Sequence, residues 1–138
     1  MKKIICTLLI ICSLFSLVGC STQKAITKFV QEKEAELLEA VETKDFSALE
    51  YNGFIKDVKV TASVVEFSCG GSGIGSATSY VGFYYTPDND MTALWCAPSS
   101  ADSLTPSGNG FAWKEPHGDN RYYTEHICGN FYYYKASF

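Results

Sequence analysis

Nowhere in this chain do 20 apolar residues follow one another, so no segment has the length of a stable membrane-crossing helix. Basic residues are also scarce: 11 Lys and Arg stand against 15 Asp and Glu, a net charge of −4. Phosphate backbones call for a basic face, which excludes nucleic acid as a partner. There are 2 histidines and no Cys-x-x-Cys pair, so nothing anchors a zinc site. The glycine-rich stretch Gly70 to Gly75 lacks the Gly-Lys-Ser/Thr ending of a phosphate loop and reads as a flexible turn. Asp88-Asn89-Asp90 is rich in oxygen, but an EF-hand starting there would need glycine and glutamate where Ala93 and Ser99 stand. It reads as a turn, and no cofactor or metal is implied.

What is present begins with Lys2 and Lys3 and an uncharged run from Ile4 to Val18, about 15 residues long, the shape of a signal peptide. The residues Leu17-Val18-Gly19-Cys20 that close it resemble the lipobox of bacterial lipoprotein precursors. That resemblance implies a diacylglycerol on the Cys20 thiol, cleavage between Gly19 and Cys20, and a domain spanning 20–138 held by lipid on the extracytoplasmic side of a cell membrane. Two buried acyl chains give stable residence where one is marginal. Further on, Gly82-Phe83-Tyr84-Tyr85-Thr86-Pro87-Asp88, Gly118-Asp119-Asn120 and Tyr132-Tyr133-Tyr134 are similar to segments of small lipoproteins from Gram-positive, gut-type bacteria. That likeness implies a self-contained surface domain and no particular activity.

Removal of residues 1–19 leaves 119 residues, enough for one domain with a core, and 9 basic against 15 acidic residues, a net of −6. Cys69, Cys96 and Cys128 are then the thiols available to folding chemistry. Three is odd, so the expectation is one disulfide with a leftover thiol, in any of three pairings, or three free thiols.

The chain after Cys20 predicts an α+β domain. Ser21 or Thr22 can cap a helix running to Val41 or Lys44, in which Ile26, Phe29, Val30, Leu37, Leu38 and Val41 share a face, with the pattern interrupted at Lys33 and Glu34. Asp45 can cap a short second helix. A long helix, a polar break, a short helix and then strands is the order seen in cystatin-like and nuclear-transport-factor-like domains; the likeness is one of pattern.

From Phe54 the period becomes two: Val58 and Val60, then Val65, Phe67 and Cys69, with a turn or bulge near Ala62-Ser63. Strands follow at Tyr80 to Tyr85 and at Phe111 and Trp113, and Pro98 to Gly110 reads as an exposed loop. Tyr122 to Cys128 and Phe131 to Phe138 flank Gly129-Asn130 as a type II′ hairpin. Pairing Cys128 with Phe131 and Ile127 with Tyr132 puts Ile127, Tyr132, Tyr134, Ala136 and Phe138 on a core face, and Thr124 and His126 on the outer one. The expected whole is a helix across an antiparallel, meander-like sheet of four to six strands.

Three functions compete. The leading expectation is a non-catalytic binding module for an envelope glycan or protein, its contact surface drawn from Trp95, Trp113, Tyr84, Tyr122 and Tyr133. The second is a small hydrolase or thiol enzyme, with Cys128 and His126 on one side of a strand and Asp119 as an orienting group; a zinc on that pair would need further ligands from Cys69, Cys96 or His117. The third is a structural or inhibitory surface domain. Exposed rings would favour the first, and a cleft holding Cys128, His126 and Asp119 the second.

Overall fold

The computed structural model describes residues 22–50, 53–74 and 77–138; Gly19, Cys20 and the signal segment lie outside them. Residues 22–32 (α1) and Glu34–Thr43 (α2) are helical, separated at Lys33, which has φ −111° and ψ 14°. The hydrogen-bond ladder runs through the break, with Lys33 N–H donating to the Phe29 carbonyl at 3.0 Å and Leu37 N–H to the Lys33 carbonyl at 2.9 Å. The interruption thus falls where the apolar pattern skips. Lys44 ends α2 in the left-handed region at φ 58°. Asp45 Oδ1 then accepts from Ser47 N–H at 3.1 Å and from its hydroxyl at 2.6 Å, starting the short helix α3 (Ser47–Glu50).

Among the described residues seven antiparallel strands form one sheet: β1 (Asp57–Val60), β2 (Val65–Ile74), β3 (Ala77–Tyr85), β4 (Thr105–Ser107), β5 (Gly110–Lys114), β6 (Arg121–Cys128) and β7 (Phe131–Ser137). Their order is β1-β2-β3-β7-β6-β5-β4, so two meanders meet where β3 pairs with β7. The edges are β1, of 4 residues, and β4, of 3. The α+β expectation of a helix on an antiparallel sheet holds, with more strands than expected. One addition is β4, inside the stretch read as a loop. Gly70 to Ile74 also belongs to a strand and not to a flexible turn: after a bulge between Ser68 and Gly70 it pairs with Val81 down to Ala77.

Both faces of the sheet are covered. On the first, Ile26, Val30, Leu37 and Ala40 of the helices pack on Phe67, Phe83, Phe131 and Tyr133. Fully burying a side chain such as Leu37 contributes roughly 1.5–3 kcal/mol. On the second, Leu94, Cys96 and Leu104, from the chain between β3 and β4, pack on Tyr84, Tyr122, Tyr132, Tyr134 and Ala136. Phe131-Tyr132-Tyr133-Tyr134 is consequently buried at every position, and alternation there marks two cores where one core face and one wet face were expected.

The β6–β7 turn corrects the expected register. Cys128 faces Phe131 as anticipated, and of the turn pair only Gly129 has positive φ (50°), as a type II′ turn requires. A bulge at Ile127 then sets His126 opposite Tyr132, Glu125 opposite Tyr133 and Thr124 opposite Tyr134. Each residue of β6 before the bulge has moved one place, and Thr124, expected on the outer face, is fully buried.

Candidate binding surface

The five aromatics expected to offer a contact surface part company. Tyr84, Tyr122 and Tyr133 are buried, and Trp113 is half-buried at the margin of the second core. Trp95 alone among them is open to solvent, with 58% of its surface exposed. Two rings that sequence reasoning left out join it. Phe138 stacks on Trp95 with centroids 5.3 Å apart and planes at 21°, and Tyr80 meets Trp95 edge-on at 5.8 Å. Tyr80 and Phe138 are themselves 6.1 Å apart, closing a triangle of rings. Lys59 Nζ lies 6.0 Å from the Trp95 ring centre, within cation–π range.

A buried carboxylate fixes this triangle from below. Trp95 Nε1–H donates to Glu66 Oε2 at 3.1 Å, and Glu66, 5% exposed, also accepts from the Tyr134 hydroxyl at 2.6 Å. The polar edge of the indole is thereby satisfied inward while the ring stays outside. Burial and the Glu66 hydrogen bond push the Tyr134 phenol far above its ordinary range, so it stays a donor.

Tyrosine hydroxyls tie down the rest of the covering chain. Tyr122 donates to the Met91 carbonyl at 3.0 Å, Tyr84 shares 2.8 Å with Thr124 Oγ1, and Tyr132 donates to Asn89 Oδ1 at 3.0 Å. Asn130 Nδ2 reaches the carbonyls of Thr86 and Pro87, each at 2.9 Å. Asp90 Oδ1 is used within its own turn by Thr92. Phenols with a polar tip and a large ring can both fill a core and anchor a loop above it.

The thiols and His126 are dispersed. Cys69, Cys96 and Cys128 are free. Cys69 and Cys128 pack on the helix side and Cys96 on the other side of the sheet, so the expected disulfide has no pair to form it. From β2 to β6 there are three strand spacings, about 14 Å, against the roughly 7 Å between Cα atoms that a disulfide spans. Nor do His126 and Cys128 share a side. The bulge turns His126 toward Tyr132, whose ring it meets at 5.2 Å, while Cys128 faces the helix and Glu34. His126 Nε2 lies 2.8 Å from the Gly129 carbonyl oxygen. Burial, then the charge and hydrogen bond of Glu34, push the Cys128 thiol up, opposite to what a nucleophile needs. Asp119 and His117 are exposed in the turn before β6, at the far end of that strand from His126. Among the described residues no three of His, Cys, Asp and Glu converge as metal ligands.

The class these observations define is a small α+β protein whose sheet is covered on both faces and carries an open aromatic cluster beside its second core. No family model matches the chain, and neither a curated protein nor a solved structure matches it. Among the described residues no helix is long and apolar enough to cross a membrane.

Proposed function

We propose that the chain is a surface lipoprotein, lipid-anchored through Cys20 on the extracytoplasmic side of a membrane, whose domain works by non-covalent binding through Tyr80, Trp95 and Phe138. The observation that supports binding is Trp95. A tryptophan left 58% exposed, with its N–H satisfied by a buried Glu66 and its ring braced by Phe138, is a preformed contact with little freedom left to lose. Stacked rings beside Lys59 suit envelope components, which offer flat apolar faces and polar groups. The thiol-enzyme reading loses support from the opposed directions of His126 and Cys128, and a purely structural domain gives no reason for an open Trp95.

Two measurements test the reading. Intact mass of the chain taken from its native membrane should lack residues 1–19 and carry lipid, and Cys20→Ala should lose the lipid; an unprocessed mass overturns the anchor. In a Trp113→Phe chain, Trp95 emission should respond to peptidoglycan fragments or to phospholipid vesicles. Silence toward both overturns the aromatic cluster as the working surface.

A further inference from the structure

We infer that the end of the domain bearing Thr22, the β2–β3 hairpin and Phe138 docks on the bilayer itself, with Ile74 and the rings of Tyr80, Trp95 and Phe138 seated among the lipid headgroups. The inference rests on the Cys20 anchor proposed above and names the partner of the aromatic cluster.

Chain length brings the surface to the membrane. Thr22 is two residues beyond Cys20, a reach of at most about 7 Å. Thr22 lines one groove, of about 270 Å³, together with Gly71, Ser72, Ser79, Tyr80 and Lys135. A lipid on Cys20 would therefore hold the outer half of the β2–β3 hairpin against the bilayer. Phe138 belongs to the same end, since its backbone exchanges hydrogen bonds with Thr78 at 3.0 and 2.9 Å.

Open apolar side chains lie at that end and beside it. Ile74 is 93% exposed at the last pair of the hairpin, and Tyr80 and Trp95 are also open. Trp95 reaches toward that end from beside the start of β2: its ring meets Tyr80 and Phe138, while its N–H bonds Glu66 and its ring lies near Lys59, both next to the Val60–Val65 pair that carries another exposed apolar side chain among the described residues. Ile, Tyr, Trp and Phe together are the composition that partitions into the headgroup boundary, where an apolar body and a polar tip are both accommodated.

Charge is polarised the same way. Near the anchor, the helical stretch carries Lys24 and Lys28; farther along, Glu32, Glu34, Glu36, Glu39 and Glu42 outnumber Lys33. Lys56 and Lys135 line the two grooves that Thr22 borders, and Arg121 sits opposite Ser137. Acidic groups near this end are Asp57, opposite Ser68, Glu115 and Asp119 in the turn before β6, and Glu125, which accepts from Gln23 Nε2 at 2.7 Å and lines a groove with Lys24 and Lys28. A domain acidic as a whole thus turns its more basic end to the membrane, where anionic headgroups attract Lys and Arg.

The test uses the lipidated chain carrying Trp113→Phe, reconstituted into phosphatidylcholine–phosphatidylglycerol vesicles doped with lipids brominated near the top of the acyl chain. The protein should float with the vesicles, and Trp95 emission should move to the blue and be quenched by roughly half or more, as expected of a ring buried at headgroup depth. Ile74→Asp, at a site too exposed to affect folding, should abolish most of that quenching with flotation and melting temperature unchanged. Flotation with Trp95 unquenched overturns the docking alone, as does a Trp95 that responds to peptidoglycan fragments and not to lipid. A chain that does not float overturns the anchor and the docking with it.

Discussion

Tyr134 reaches Glu66 across an intervening strand, its hydroxyl donating at 2.6 Å after the ring has passed over Gly82 of β3. The passage exists because Gly82 has no side chain: a Cβ there would lie 3.0 Å from the Tyr134 ring and 2.2 Å from the Phe67 carbonyl oxygen. Since Glu66 also holds the indole N–H of Trp95, one carboxylate of β2 positions both a ring of β7 and the open ring of the covering chain.

Glu66→Ala should cost about 1–3 kcal/mol, the penalty of leaving the buried Tyr134 hydroxyl without an acceptor. It should also broaden and red-shift Trp95 emission as the indole is freed. Glu66→Gln retains an acceptor oxygen and should lose less. Urea unfolding of the two variants beside the parent measures both effects, and equal losses would count against the bridging role.

Gly82→Ala should destabilise by about 1–3 kcal/mol or more, because the new methyl meets the backbone of β2 and cannot be relieved by rotating a side chain. Thermal melting checks it. A Gly82→Ala protein as stable as the parent would mean that β2 and β3 are not paired as described.

Much of the fold was legible because it rests on local signals. The helix face repeats at 3.6, the break at Lys33 coincides with two skipped apolar positions, and Gly129-Asn130 marks its hairpin. What was not legible depends on partners distant in sequence. A run such as Phe131 to Tyr134 reads the same whether one face is buried or both, and nothing local says that residues 86–104 fold back over the second face. The bulge at Ile127 leaves no mark of its own, yet it alone separates His126 from Cys128. Of the binding surface, Trp95 could be named from composition. Tyr80 and Phe138 could not, because their exposure follows from where the sheet ends and the covering chain stops.

Alkylation should find three reduced thiols in the folded domain. After unfolding without reductant, Cys69, Cys96 and Cys128 should all react; before unfolding, Cys69 and Cys96 should be slow, as burial pushes each up to about 12. Peptide mass mapping reads each site separately. A bridge between any two of them would require strands β2 and β6, or the two faces of the sheet, to be arranged otherwise.

Alkaline pH should unfold the domain. Burial raises the Cys69 and Cys96 thiols from 9.0 and the Tyr84 phenol from 10.0, each to about 12. On raising the pH the unfolded chain therefore releases these protons first, and the equilibrium is drawn toward it. The contribution of these groups is whole below pH 9 and falls away between 9 and 12. Replacing both thiols by alanine should shallow that decline. Chemical denaturation at stepped pH follows it, and a level profile across the window would contradict the burial of these groups.

The borders of the sheet decide how the protein behaves in a crowd. Free strand edges invite a second copy to add its own strand, and repeated addition builds fibres. Here one border offers the 4 residues of β1 with Lys59 among them and, beyond a bulge, the glycine-rich Gly70 to Ile74 of β2, while the other offers 3 with Pro106 at the centre, whose nitrogen has no hydrogen to donate. Neither is a template long or flat enough to be copied, so many such molecules can stand side by side at high density and remain separate.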